Sequence, residues 1–274
     1  MNSSLRTSTW LAALVFFGLA AFAAQAAVIV VGPLAYEHEA QPGRVVEGTL
    51  EVRNPEDRSQ EVKFYQSDYR FFADGTTEYG EPGKLPRSNA LWMSFQPKQA
   101  TIPPRESVTL RYTIRVPEDP ALSGTYWSLL MVEPIPEGSP ESSSPDPRKT
   151  TLGIREVLRY AVQIAVHIGA TGRRELKFAQ LRLTEEGGKR LLAVDVENTG
   201  ERLLHGRFWT EIYDSGGRYV GRFEGGERRL YPGTSVRFKA DLPGLENASY
   251  KALIVVDCGG DDVFGASANL LLSP

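Results

Sequence analysis

The sequence predicts an all-β protein made of two tandem β-sandwiches, and three observations carry that prediction. Side-chain character alternates with a period of two along several stretches. Turn-forming dipeptides separate those stretches at regular spacing. The whole pattern of strands and turns then occurs twice, in the same order.

The alternation is clearest at Val108, Leu110, Tyr112, Ile114 and Val116, interleaved with Thr109, Arg111, Thr113 and Arg115. A period of two places one set on a buried face and the other in water. The same pattern recurs at 46–52, 192–196 and 236–242, and no stretch after residue 27 has a helical period. Pro42-Gly43, Asp74-Gly75, Pro103-Pro104, Gly187-Gly188, Gly216-Gly217, Gly225-Gly226 and Pro232-Gly233 lie between such stretches. They supply the fixed or positive φ angles that tight turns need. Many short strands with turns at this spacing define a sandwich or barrel.

Before the first strand, Arg6 is the one charged side chain ahead of Glu37, residues 10–22 are unbroken apolar sequence, and Ala24-Gln25-Ala26 has small-x-small form. These are the parts of a cleaved secretory signal, here 1–26. The apolar run falls short of the roughly 20 residues that span a bilayer. The expected product is exported, periplasmic or secreted. No later run reaches membrane length, so no membrane span is expected after cleavage, and the sequence closes on Leu272-Ser273-Pro274 without an anchor. A single cysteine excludes an intrachain disulfide framework.

Strands are then expected at 28–38, 45–54, 61–72, 91–95, 108–116 and 126–133. A sandwich of about seven strands needs one more. It is found at 158–168, beyond the Pro- and Ser-rich stretch 134–151. That stretch is therefore read as a mobile loop inside the first domain. The hinge is Gly169-Ala170-Thr171-Gly172, which gives domains 27–169 and 170–274.

The repetition supports two domains. Leu50-x-Val52-x-Asn54 is answered by Val194-x-Val196-x-Asn198, and each Asn opens a polar turn. Pro104-Arg-Glu-Ser-Val108 is answered by Pro232-Gly-Thr-Ser-Val236. Tyr126 and Tyr250 each precede an apolar strand. A tyrosine there resembles the tyrosine corner of immunoglobulin-like sandwiches, so the predicted fold is two tandem immunoglobulin-like β-sandwiches.

Several functions are excluded or disfavoured. With 31 Lys plus Arg against 34 Asp plus Glu and a net charge of −3, the chain lacks the massed cations of a nucleic-acid binder. It has no Gly-x-Ser-x-Gly elbow, Walker loop, His-Glu-x-x-His or Gly-x-Gly-x-x-Gly. It is read as a non-enzyme without cofactor or metal. Glu37-His38-Glu39 reads as a solvated strand end, and Asp257-Cys258-Gly259-Gly260-Asp261-Asp262 as a hairpin turn without EF-hand spacing. Cys258 reads as a buried small hydrophobe. Arg222, Arg228, Arg229 and Arg237 read as a solvated strand face, and Trp92, Trp127 and Trp209 as core residues.

Pro103-Pro104-Arg-Glu-Ser-Val-Thr-Leu, Val116-Pro117-Glu-Asp and Gly124-Thr-Tyr-Trp, followed by a variable loop and a long alternating strand, resemble the PapD-like periplasmic pilus chaperones. They are also similar to the PapD-like domain of WxL-interacting surface proteins. The resemblance implies a protein that binds a subunit by adding a strand to it. The pilus chaperones clamp a subunit carboxylate with an Arg on the first strand and a Lys on the last of domain one. Here residues 28–36 contain no basic residue, and Gln163, Ala165 and His167 stand where the Lys is sought.

The expected binding strand is 158–168. Leu158, Tyr160, Val162, Ile164, Val166 and Ile168 are apolar at every second position. Leu158, Tyr160, Val162 and Ile164 are the candidate partner contacts, since a strand beside a loop at a sheet edge offers unpaired backbone groups to another chain. Two readings of the six apolar residues stay open: all fill the core, or the inner half packs while the loop-proximal half binds. For function, a chaperone or assembly factor stands against a structural or adhesive envelope module that holds a surface protein or polymer. Cleavage after Ala26 predicts an intact mass for the exported protein that fits a chain starting at Ala27. Recovery of residues 1–25 in the exported material would refute it.

Overall fold

The computed structural model describes residues 28–137, 139–143 and 157–273. The expected signal at 1–26 lies outside the described residues, as does half of the expected loop at 134–151. The first ten strands are β1 (Ile29–Val31), β2 (Ala35–Ala40), β3 (Val45–Arg53), β4 (Gln60–Phe71), β5 (Thr77–Gly80), β6 (Met93–Gln96), β7 (Gln99–Ile102), β8 (Ser107–Arg115), β9 (Gly124–Ile135) and β10 (Tyr160–Ile168). They form two sheets, β1-β3-β8-β6 and β2-β10-β9-β4-β5, with β7 attached to β4. Between the sheets lies one core that includes Leu50, Val62, Leu110, Ile114, Leu130, Val162 and Ile164. Each fully buried side chain of this kind contributes about 1.5–3 kcal/mol.

The remaining strands are β11 (Leu176–Glu186), β12 (Lys189–Asn198), β13 (Leu204–Asp214), β14 (Tyr219–Leu230), β15 (Ser235–Asp241), β16 (Ser249–Asp257) and β17 (Val263–Leu271). They form the sheets β11-β12-β15 and β14-β13-β16-β17. Their shared core includes Leu192, Val196, Phe208, Ile212, Phe238 and Ile254, with Phe208 and Phe238 stacked 4.9 Å apart. The protein is all-β, two sandwiches in tandem.

Four details depart from the expected strands. The stretch 28–38 is broken: Gly32 takes φ 107° ahead of Pro33, so β1 pairs antiparallel with β3 in one sheet and β2 parallel with β10 in the other. A positive φ followed by a ring-fixed residue turns the chain from one sheet to its neighbour. The stretch 91–95 opens as a turn of 3-10 helix, Ala90–Trp92, before β6. The short polar strands β5 and β7 have no alternation to announce them. The preceding strand β9 also runs on to Ile135, into the stretch read as loop.

The repeated motifs have the same structural job in both sandwiches. Asn54 and Asn198 are fully buried. The Asn54 amide donates to the carbonyls of Arg58, Ile102 and Pro103, and its oxygen accepts from the Glu56 N–H. The Asn198 amide donates to Arg202 and Leu230, and its oxygen accepts from the Gly200 N–H. The following turn is also shared. Pro104-Arg105 and Pro232-Gly233 occupy its centre, with φ 64° at Arg105 and 73° at Gly233. The Glu106 N–H donates to Pro103 and the Thr234 N–H to Tyr231 across these turns, as in type II turns. The tyrosine corner forms in the second sandwich, where the Tyr250 hydroxyl donates to the Glu246 carbonyl at 3.3 Å. In the first, the Tyr126 ring packs tilted against Trp92 at 4.6 Å, with the Arg87 guanidinium over it.

Replacing Asn54 or Asn198 by Ala removes these bonds and leaves buried carbonyls without donors, which costs about 1–3 kcal/mol for each group left unpaired. Asn54→Ala and Asn198→Ala should each lower the melting temperature of their own sandwich by several degrees. A thermal melt followed by circular dichroism and tryptophan fluorescence checks this, and an unchanged melt contradicts it.

Candidate functional site on strand β10 and the interdomain face

Strand β10 is the pivot of the first sandwich, and its two faces have different neighbours. Val162, Ile164, Val166 and Ile168 point inward and are fully buried in the first core. Tyr160 packs at the margin of that core, and Leu158, just before the strand, is 52% exposed. Of the four candidate contacts, Leu158 and Tyr160 thus keep side-chain surface, whereas those of Val162 and Ile164 are spent in the core. Their burial follows from alternation next to a facing sheet, which a sequence does not distinguish from an open edge.

The backbone of β10 is divided in the same way. Along one side it pairs antiparallel with β9 from Tyr160 to Ile168. Along the other, β2 runs parallel to it only from Gln163 to Ile168, and the Gln163 N–H donates to the Leu34 carbonyl at 2.9 Å. Ahead of Gln163, no strand among the described residues lies on that side. Alternation directs the backbone groups of Ala161 and Arg159 toward this open edge. Leu34, just ahead of β2, is 46% exposed, so an apolar side chain, Leu34 or Leu158, flanks each end of the gap. On the outer face at the strand's entry, Arg159 and Lys63 both approach Glu133, which also accepts from the Tyr65 hydroxyl at 2.6 Å.

The outward side chains of the covered half meet the second sandwich. The Tyr231 hydroxyl, from the second sandwich, donates to Gln163 Oε1 at 2.9 Å, and the Tyr231 ring packs on Trp127 at 4.9 Å. Ala165, Trp127, Leu203 and Tyr231 form one buried apolar cluster, with Phe71 against it. Tyr231 is fully buried, and burial pushes its hydroxyl well above the usual phenol range. Gly124 permits the contact: it sits at φ 74°, and a Cβ there would lie 2.1 Å from the Glu201 carbonyl oxygen. The Thr125 N–H donates to that same oxygen at 2.8 Å.

Beside this cluster sits an ion-pair node. Glu37 of β2 receives His167 at 3.1 Å, His205 at 2.9 Å and Arg229 at 3.3 Å. His205 and Arg229 belong to the second sandwich. The Thr125 hydroxyl accepts the Leu203 N–H at 2.9 Å and lies 2.9 Å from His167 Nδ1. The ionised Glu37 carboxyl only accepts, so His167 Nε2 donates to it, while Nδ1 shares a hydrogen bond with the Thr125 hydroxyl. Hydrogen bonds from His167 and His205 hold the Glu37 carboxyl far below the usual carboxylate range. A second tie joins Arg202, which donates to the Gly169 carbonyl at 2.6 Å, to Glu39 at 3.6 Å.

The other residues singled out in the sequence fall elsewhere. Glu37-His38-Glu39 is solvated only in part: Glu37 and Glu39 are exposed, but His38 is half-buried and shares a hydrogen bond with the Tyr112 hydroxyl at 2.9 Å. Burial, and then the charge of His167, lowers its pKa. Trp127 joins the interdomain cluster, and Trp209 lies on an outer face beneath Arg222, whose guanidinium is 3.9 Å from the ring centroid. The four arginines are dispersed: Arg222 bonds Glu224, Arg237 bonds the buried Asp195, Arg229 bonds Glu37, and Arg228 donates to the Glu227 carbonyl. Residues 258–262 make the β16–β17 turn, with Gly259 and Gly260 at positive φ and Asp262 paired to Arg174 at 2.9 Å. Cys258 is half-buried, and burial, with Asp262 and Asp257 nearby, pushes its thiol up to about 12. Among the described residues no group of three His, Cys, Asp or Glu side chains is placed to hold a metal ion, and no helix is long and apolar enough to cross a membrane. Nothing in the spacing of residues marks Tyr231, Glu37 and His205 as a set, since they come together only once the two sandwiches are docked.

No protein family's sequence profile matches the chain, and no curated protein matches it in sequence. Solved fimbrial chaperones, the superfamily whose motifs the sequence resembles, are among the structures similar to it. A chain of a chaperone–tip adhesin complex of CFA/I fimbriae biogenesis is 14% identical, with TM-score 0.47, covering 88% of this chain and 97% of that one. The class 5 fimbriae chaperone CfaA is 15% identical, with TM-score 0.45, covering 90% and 99%. The Pseudomonas aeruginosa CupB2 chaperone is 15% identical, with TM-score 0.41, covering 89% and 100%. Each likeness is one of overall fold alone.

The Glu37 node has a definite pH signature. A carboxyl whose folded pKa is depressed adds stability that is fully present above its unfolded value, near 4.5, and is lost as pH falls toward the folded one. The wild-type melting temperature should therefore drop as pH is lowered below 4.5. Glu37→Gln should melt lower at neutral pH, by the equivalent of about 1.5–3 kcal/mol for a charged hydrogen bond, and should lose part of that acid dependence. Thermal melts of both proteins across pH 3–7 (roughly the carboxylate and histidine range) check it; parallel curves for the two contradict it.

Proposed function

We propose that this chain is an exported, non-catalytic assembly chaperone, acting in the periplasm or outside the cell, that holds another protein by strand addition. In this reading it divides at the hinge 169–172 into domains 27–169 and 170–274, with 134–151 as the loop that leads into the binding strand. The observation that supports it best is the divided edge of β10. The half after Gln163 is covered by β2, while the half before it presents unpaired backbone beside Leu158, Tyr160 and Leu34. A partner strand entering there would continue the line of β2, taking main-chain hydrogen bonds from β10 and seating apolar side chains against Leu158 and Tyr160. Val162 and Ile164, anchored in the core, would hold the receiving strand in register. No cofactor is invoked.

The test compares the two halves of the strand. Leu158→Arg and Tyr160→Arg should abolish capture of the partner from envelope extract, because a charge in an apolar contact has no counter-ion. The melting temperature of Leu158→Arg should hardly move, since exposed substitutions usually cost within about 0.5 kcal/mol, whereas Tyr160→Arg, at the margin of the core, should lower it more. Ile164→Arg should unfold the first sandwich, because burying an unpaired charge costs several kcal/mol. If Leu158→Arg stays folded and still captures its partner, β10 is not the interface, and a structural or adhesive envelope module becomes the better reading. If Leu158→Arg unfolds as Ile164→Arg does, the whole strand is core and offers no site.

A further inference from the structure

The second sandwich carries an edge of a different kind. β17 is the last strand of its sheet and, among the described residues, pairs with β16 alone. Its sequence, Val-Phe-Gly-Ala-Ser-Ala-Asn-Leu-Leu, contains neither a charged residue nor a proline. The other long edge strands of this sandwich are guarded: β11 carries Lys177, Arg182, Glu185 and Glu186, β14 Arg222, Glu224, Glu227, Arg228 and Arg229, and β15 Arg237, Lys239 and Asp241. Edges are ordinarily protected by such charges, by proline or by bulges. β17 has none of these, and its register with β16 is unbroken from Val263 to Leu271.

The backbone pattern shows what that edge presents. The Cys258 N–H donates to Asp262 and the Leu272 N–H to Ala248, at the two ends of the β16–β17 ladder. Alternation then commits Phe264, Ala266, Ala268 and Leu270 to β16. The N–H and C=O groups of Val263, Gly265, Ser267, Asn269 and Leu271 face away from it. Their side chains lie on the exposed face, with Val263 55% and Leu271 69% exposed and small residues between them.

This pattern is self-complementary, and we propose that β17 pairs antiparallel with β17 of a second copy of this chain about a two-fold axis at Ser267. In that register each outward-facing backbone group meets its counterpart. Val263 lies opposite Leu271 of the other copy, Gly265 opposite Asn269, and Ser267 opposite itself. On the inner face Phe264 lies opposite Leu270, and Ala266 opposite Ala268, which extends the second core across the junction. The two exposed apolar ends of the strand cover each other, and no charge is brought near a like charge within the strand pair. A second copy suits the edge because an isologous contact requires a patch that complements itself. The interface is separate from β10 and leaves the proposed binding edge open.

The experiment is sedimentation equilibrium of the exported full chain over a wide concentration range. The wild type should form dimers. Ser267→Pro should be monomeric with an unchanged melt, because the lost N–H faces the partner and not β16. Ser267→Lys and Ser267→Glu place like charges face to face on the axis, and each should weaken the dimer by roughly fivefold; mixing the two should restore association as a heterodimer. A wild type that stays monomeric up to its solubility limit overturns the proposal. So does a dimer that survives Ser267→Pro, or charge variants that associate no better mixed than alone.

Discussion

Every direction around the second half of β10 is occupied, and the rest of the molecule is arranged around that fact. From Gln163 onward, one set of side chains fills the first core and the other set meets the second sandwich. One backbone edge belongs to β9 and the other to β2. A strand constrained on four sides has a single register, because a one-residue slip would send Val162, Ile164 and Val166 to the domain interface and Gln163 and His167 into the core. The positions of β2, Tyr231 and the Glu37 node are all set from it.

The contact between the sandwiches joins two kinds of interaction. The Tyr231 cluster is apolar, buried and indifferent to pH. The Glu37 node is polar and depends on one carboxylate bridging both domains. Of the partners of Glu37 only His167 is buried, so removing the carboxylate leaves that imidazole without its acceptor, while His205 and Arg229, about half exposed, return to water. The apolar cluster supplies adhesion, and the node supplies orientation, since hydrogen bonds to Glu37 have directions that ring packing lacks.

Much of the fold could be read from residues. The alternation at Val108 to Val116 foretold β8, and the echo of Asn54 in Asn198 foretold a shared turn whose bonds are the same in both sandwiches. The repeat even extends to conformation, with Arg105 adopting the positive φ that its counterpart Gly233 adopts without strain. Three features lay beyond reach for physical reasons. The break at Gly32 matters only because two sheets end side by side there. The short strands β5 and β7 follow from pairing, not from hydrophobic pattern. Trp127 and Tyr231 are apolar enough to belong to either core, and only docking decides that they lie between. The candidate site divides in the same way: the apolar spacing of Leu158 to Ile164 was visible, but where β2 stops covering the edge is a property of tertiary pairing.

The constraint on β10 bears on how such a chain can change in length. The stretch leading into the strand can gain or lose residues singly, since chain closure depends only weakly on loop length. Within 163–168 a single insertion exchanges the two faces and undoes core and domain contact together. An insertion of two restores the faces but moves each outward residue one repeat along, so that Tyr231 would meet a neighbour of Gln163 instead of Gln163 itself. Variation in length is thereby confined to the entry of the strand, while the strand itself serves as a fixed ruler.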